Sequence, residues 1–274
     1  MQFMSWMKKD DWSKQICEMH QIEAKLRIAN ILNDNFINLG KALEGLEFNE
    51  FASKQTLRQN IAIQILSVCF ELSEDLAATC FSYSKAIKNK TKNVPEFLRD
   101  FGDTDGKKSS EVGNPNLFYK TASKEICFAA EMAGLDPIID VTRAILFQNF
   151  FKVISDFRLK FDDWYQGYKH GQRTLPIFLW PANTQPTPQT AKFVIYRIPQ
   201  VLQENNDSLF VESDFIDIIE EVPKFITIIG DIVKAWQEIK QRQFLKVFPN
   251  PAIMTQTPAT ELPAPSPQPV KSVV

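Results

Sequence analysis

Large apolar side chains recur at every third or fourth position over much of this chain, which is the signature of helices with one buried face. Trp12, Ile16, Met19, Ile22, Leu26, Ala29, Leu32, Phe36 and Leu39 form the first such stripe and predict a long helix that ends near Gly40, a fitting C-cap. Leu57, Ile61, Ile65, Val68, Leu72, Leu76, Cys80, Tyr83 and Ile87 form the second. Thr56 and Gln59 stand at capping-box spacing at its start. The two stripes predict an antiparallel helix pair joined by residues 41–55.

Periodicity stops between Asn89 and Asn116, where Gly102, Gly106, Gly113, Pro95 and Pro115 surround the polar run DTDGKKSSE. This segment reads as a mobile loop with one helical turn at Pro95–Phe101. Helical spacing resumes from Leu117 to Ala133 and closes at Gly134. Asp136 and Pro137 then supply an N-cap and first-turn proline for the next helix. That helix carries an aromatic stripe, Leu146, Phe150, Val153, Phe157, Phe161, Trp164 and Tyr168. Aromatic residues at helical spacing read as core rather than as a cofactor box.

After Gly171 the period changes. Thr174–Trp180 and Lys192–Ile198 are rich in β-branched and aromatic residues, so the spacing predicts a two-stranded β-ribbon over 174–198. Pro176 confines the first strand to an edge. Ser213 can cap a further helix carrying Phe215, Ile218 and Val222, which Pro223 breaks or kinks. A last stripe, Ile226, Ile229, Val233, Trp236 and Ile239, runs to about Phe248. Seven of the 16 prolines fall in residues 249–274, where apolar periodicity is lost. The predicted architecture is mainly α: a multi-helix bundle over 1–248 as a single domain, a small β-ribbon, and a disordered proline-rich tail with polyproline-II character over 249–274. The first two helices, the helix after Pro137 and the last one are expected to share a core.

Charge narrows the functional classes. With 31 basic and 33 acidic residues the net charge is −2, so no strong field favours general polyanion binding. The run Lys88–Lys92 reads as a solvated loop at a helix end. Cys17, Cys69, Cys80 and Cys127 form no CxxC pair and lie in apolar-periodic stretches, which suggests small buried hydrophobes in a reducing compartment. Mixed charge at Lys8–Asp11 does not fit a secretory signal, and the longest apolar run, Ile61–Phe70, is too short to span a bilayer. A cytoplasmic protein without a membrane span is expected.

Candidate chemistry is sparse. His20 and His170 are the two histidines, which argues against a multi-histidine metal site within one chain, and neither metal nor cofactor is expected. No segment matches a phosphate-cradling, zinc-protease, nucleophile-elbow or dinucleotide pattern. His20 borders the first stripe and reads as structural. His170 is richer in context, because Asp162-Asp163-Trp164-Tyr165-Gln166-Gly167-Tyr168-Lys169-His170-Gly171-Gln172-Arg173 ends the aromatic helix. Gln166, Asp163 and Asp156 share its side of the helix. Asp156, Asp163 and His170 are spaced by sevens, about 10.5 Å per step, too far apart to hold one metal together. A histidine in the last turn feels the negative end of the helix dipole, which favours its protonated form, while Lys169 and Arg173 oppose it. Its structural alternative is a helix cap, with Gly171 turning the chain into the ribbon.

A helical core ending in a polar histidine at a helix terminus, followed by glycine, resembles the HEPN superfamily over roughly the first 170 residues. The resemblance implies a small helical bundle and, in active members, a metal-independent ribonuclease that pairs two motifs across a dimer and attacks through the ribose 2′-hydroxyl. The family motif separates an arginine from its histidine by four to six intervening residues. Here those positions hold Asp163, Trp164 and Tyr165, Arg158 lies further upstream and Arg173 lies downstream. On this resemblance His170 would be the acid/base, Lys169 and Arg173 would hold phosphate, and Gln166 or Tyr165 would orient the substrate. The leading expectation is a helical binding or regulatory protein without catalysis of its own, using the surface from Tyr165 to Arg173, with Asp163, and the adjoining ribbon. Its rival is the HEPN-like ribonuclease or defence toxin. Partners consistent with these readings are a protein or RNA, a second copy of the chain, and a proline-recognition domain on the tail.

Overall fold

Between Ile61 and Ala86 almost every side chain of the second stripe is buried, and this segment becomes the central rod of the molecule. The computed structural model describes residues 22–101, 114–169, 174–197 and 215–249. Among these residues the chain forms α1 (Ile22–Lys41), α2 (Phe48–Lys88), α3 (Val94–Asp100), α4 (Pro115–Ala122), α5 (Ile126–Met132), α6 (Val141–Lys169), strands β1 (Thr174–Leu179), β2 (Lys192–Arg197) and β3 (Phe215–Ile216), and α7 (Ile218–Val247). The architecture is the expected helical bundle with a small antiparallel sheet. At 41 residues α2 is about 60 Å long at 1.5 Å per residue, long enough to meet every other helix. Its most extensive packing is against α7 and α1.

One continuous core joins Ile22, Ala29 and Phe36 of α1, the buried face of α2, Phe118 and Tyr119 of α4, Ala144 to Tyr165 of α6, and Val222 to Ile239 of α7. The four helices expected to share a core do so. A smaller cluster at one end brings Tyr83, Ala86, Val94, Val247 and Phe248 together. No helix among the described residues is long and apolar enough to cross a membrane.

Several boundaries differ from the periodicity. α2 begins at Phe48 rather than near Thr56, and Leu57 is exposed. The aromatic rings of Phe48 and Phe51 explain the early start, since they pack edge-on against Phe178 of β1 and Phe193 of β2. Gln59 is therefore buried mid-helix and not in a capping box. The single helix predicted over 117–133 is two, α4 and α5, separated where Lys124 and Glu125 both donate their backbone N–H to the Thr121 carbonyl. Asn114 caps α4 by accepting from the Leu117 amide at 2.8 Å. Gly134 closes α5 at φ +69°. Asp136 serves a turn instead of the helix start: its Oδ1 accepts from the Ile138 and Ile139 amides, and α6 begins only at Val141.

The ribbon is a three-stranded sheet in the order β1-β2-β3. Thr174 pairs with Arg197 and Leu179 with Lys192, so Pro176 does lie on an edge strand. Phe215, expected in a helix, pairs with Tyr196 as part of β3. Asp217, not Ser213, caps α7. Pro223 does not end it: α7 is one helix of 30 residues. The proline falls in its second turn and removes only one ladder donor near the end. Ser213, the loop residues 102–113, the segment upstream of Ile22 with Cys17 and His20, and residues 250–274 lie outside the described residues. Cys69 and Cys80 are buried as expected, whereas Cys127 is exposed on α5.

Candidate functional site

α6 sets the candidate site, and its buried face is phased differently from the predicted stripe. Ala144, Phe147, Phe151, Ile154, Phe157, Phe161, Trp164 and Tyr165 point inward, while Leu146 and Val153 are exposed. The two stripes coincide from Phe157 to Trp164 and differ by one residue, or 100°, in the first half. Apolar residues cover more than one face there, so spacing alone cannot choose. Tyr168, the last member of the predicted stripe, is partly exposed.

The C-terminal end of α6 meets the sheet. Asp163 is exposed and its Oδ2 accepts from Arg197 Nη1 at 2.5 Å, tying α6 to β2. The Arg197 guanidinium lies 5.8 Å from the Trp164 ring centroid. Tyr165 is buried and stacks on Phe70 of α2 at 4.3 Å with 12° between the rings. Lys169 is exposed, with Nζ 5.6 Å from the Tyr165 ring. Gln166 is half-buried beside them. The fold thus brings Asp163, Tyr165, Gln166 and Lys169 to one helix end; His170 and Arg173 lie outside the described residues.

About three turns back from that end lies a buried charged group. Arg158 is 4% exposed and lies among the rings of α6. Its Nε donates to Asn116 Oδ1 at 2.8 Å, Nη1 to Ser73 Oγ at 2.6 Å, and Nη2 reaches Glu74 Oε1 at 3.5 Å. The guanidinium also lies 4.8 Å from the Phe70 centroid. Ser73 Oγ donates to the Phe70 carbonyl at 2.7 Å, and the buried Tyr119 hydroxyl donates to the Ser73 carbonyl at 2.6 Å. Every hydrogen-bonding nitrogen of Arg158 therefore has an acceptor from α2 or from the start of α4, the arrangement a buried cation requires. A readable signal existed: Ile154, Arg158, Phe161 and Tyr165 fall at helical spacing, so one arginine stands in an otherwise apolar row. On the solvent side Lys25 of α1 pairs with Asp75 at 2.6 Å and lies 3.7 Å from Glu71.

Electrostatics follows from this packing. Burial raises the Tyr165 hydroxyl to about 12, and the neighbouring carboxylates Glu74 and Glu71 push the same way. Burial likewise raises Tyr119 and the Cys69 and Cys80 thiols. Tyr165 is thus a neutral phenol at neutral pH, suited to stacking and hydrogen bonding. Because its folded value exceeds the unfolded one near 10, its neutral form favours the folded state fully below about pH 10, and this contribution is lost as pH rises from about 10 to 12. Alkaline spectrophotometric titration is expected to show one tyrosine ionising near 12 that shifts down towards the ordinary tyrosine range in the Phe70→Ala variant, which opens part of its burial and leaves Glu74 and Glu71 in place. An unchanged titration in that variant would contradict the packing assigned here.

Among the described residues no group of three or more histidine, cysteine, aspartate or glutamate side chains is placed to hold a metal ion. Asp163 and Tyr165 are engaged in an ion pair and a ring stack, so what this end of α6 offers outward is Tyr168, Lys169 and the edge of the sheet. Comparison with known proteins adds no relative: no family model, curated protein or solved structure matches the chain.

Proposed function

We propose that the chain is a helical binding module that takes a protein partner on the surface formed by the C-terminal end of α6 and the outer edge of β1. The observation that carries this reading is the display of Leu175, Leu179 and Trp180, all more than 40% exposed, on a sheet anchored to α6 through the Asp163–Arg197 pair. Trp180 is braced by a stacked contact with Phe178 at 5.3 Å, and Phe178 is fixed in turn by Phe48 of α2. A large ring held in place before binding loses little side-chain freedom on contact, which is how aromatic anchors dominate interfaces. Lys169 and the Asp163–Arg197 pair supply a charged rim to an apolar centre. The chemically capable groups beneath, Arg158 and Tyr165, are committed to the core, which supports binding over turnover.

The test places a photo-crosslinking amino acid at Lys192, opposite Leu179 at the end of the ribbon, in the full chain, identifies the protein captured, and titrates that protein against purified variants. Trp180→Ala combined with Leu175→Ser is expected to weaken binding at least tenfold with the melting temperature unchanged. Metal-independent RNA cleavage by the wild-type chain, abolished in a folded His170→Ala variant, would overturn the proposal in favour of a ribonuclease.

A further inference from the structure

The first half of α6 carries apolar side chains on more than one face, and α7 covers only part of them. Leu146 is 62% exposed, and with Arg143, Phe147 and Phe150 of α6 and Glu238 of α7 it lines a groove of about 260 Å³. Phe147 is buried and Phe150 half-buried, so the floor is apolar. One end is charged. Arg143 is exposed and, among the described residues, has neither an ion pair nor a hydrogen bond. Arg242 lies 5.4 Å from the Phe147 ring centroid, but it is committed: it donates to the Ala133 carbonyl at 3.3 Å and pairs with Glu238. Asp140, whose charge also acts on Arg242, accepts from the Asp136 amide at 3.2 Å. Both carboxylates at this end are therefore engaged, and Arg143 is left as the unpaired charge. Burial holds Arg242 below its ordinary value, and the charge of Arg143 pushes the same way, so the two guanidinium groups repel each other.

We propose that this groove binds a small carboxylic acid with an apolar body, its carboxylate accepting from Arg143 while its ring or alkyl chain lies on Leu146, Phe147 and Phe150. The free group is a planar guanidinium, which gives a carboxylate two parallel N–H bonds. An anion at this end also offsets the repulsion between Arg143 and Arg242, which a neutral or cationic head does not. Volume sets the size of the ligand. About 260 Å³ is just under the usual range of small-molecule sites, about 300–1,000 Å³, so the groove takes one ring or a short chain. Its five lining residues are too few for a protein partner, whose stable interface takes about 20–30 residues a side. The site is separate from the sheet edge and stands without the reading given to that surface.

Titration of the full chain with phenylbutyrate, followed through the Leu146 methyl resonances, tests the site. Phenylbutanol and phenylbutylamine serve as the matched neutral and cationic probes. The expected result is saturable shifts of Leu146 with a Kd on the order of 1–10 mM, the range that the ligand efficiency of small compounds gives. The alcohol is expected to bind about fivefold more weakly than the acid, and the amine more weakly still. Arg143→Gln, at an exposed position outside the core, is expected to bring the acid down to the level of the alcohol with the melting temperature unchanged. Trp180→Ala is expected to bind the acid as wild type does. Equal affinity for acid and alcohol, an acid titration unaltered by Arg143→Gln, or no saturation by about 50 mM would each overturn the proposal. Loss of binding in Trp180→Ala would place the probe on the sheet edge and overturn it too. Leu146 shifts that follow protein concentration without any acid would assign the groove to a second copy instead.

Discussion

Replacing Arg158 by methionine is expected to destabilise the protein by about 1–3 kcal/mol. Methionine keeps most of the volume and the contact with Phe70, so the loss is electrostatic rather than a cavity. It removes the donor that the guanidinium gives to Ser73 Oγ at 2.6 Å and to Asn116 Oδ1 at 2.8 Å. Ser73 keeps its own bond to the Phe70 carbonyl, and the exposed asparagine rehydrates. Loss of a charged hydrogen-bond partner at the buried Ser73 costs about 1–3 kcal/mol. Glu74 is only partly buried and rehydrates, which keeps the effect below the upper end for buried ion pairs. Lysine recovers less than half, because one ammonium cannot meet acceptors on three residues from a planar fork. Urea unfolding is expected to show a lower midpoint with the same slope, and Arg158→Lys lying nearer to methionine than to wild type. A methionine variant as stable as wild type would contradict the role given to this network.

Gly134→Ala is expected to cost a further large amount, about 2–4 kcal/mol, for two separable reasons. At φ +69° an alanine Cβ meets the backbone strain of the left-handed region, about 1–2 kcal/mol. That Cβ would also stand 2.8 Å from Gln243 Cγ, on a fully buried side chain whose amide is held by the Met132 carbonyl. Gly45 provides the control. It has φ +71° and open space around its Cβ position, so Gly45→Ala carries the strain without the collision. The difference between the two variants in thermal unfolding measures how closely α7 approaches the α5–α6 turn. Equal losses at the two positions would show that the approach is looser than described.

The sequence patterns that survive in the structure are those with one physical solution. From Ile61 to Tyr83, α2 is surrounded by other elements, so its stripe is buried whichever neighbour is considered. Gly134 and the edge position of Pro176 also follow from backbone limits that no packing can relax. The reading failed where local chemistry left two solutions. In the first half of α6 two apolar faces compete, and the position of α7 decides between them. The break between α4 and α5 preserves helical phase from Phe118, Tyr119 and Ala122 to Ala129 and Ala130, so periodicity carries no sign of it. Pro223 reads as a break or kink when the helix is started at Ser213, whereas the Asp217 cap puts the proline in the second turn. β3 is two residues long and exists through pairing with Tyr196 and Ile195, a contact invisible to local pattern.

The candidate site was legible in part for the same reason. Asp163, Tyr165, Gln166 and Lys169 lie within the last two turns of α6, as neighbours in sequence must, but Asp163 and Lys169 face solvent while Tyr165 is buried. Their roles depend on partners far along the chain, namely Arg197 for Asp163 and Phe70 for Tyr165. Arg158 lies out of register with the arginine–histidine spacing of the family that the chain resembles, yet an arginine within an apolar row calls for the acceptors that α2 and α4 supply.

The central claim is that the α6 end and the sheet edge bind a partner and do not perform chemistry. Side-by-side assay of wild type, His170→Ala and Trp180→Ala, on RNA and on the captured partner, addresses it most directly. The account predicts intact RNA with all three proteins and a partner affinity lost in Trp180→Ala alone. Cleaved RNA with wild type but not with His170→Ala, at equal melting temperatures, would contradict it.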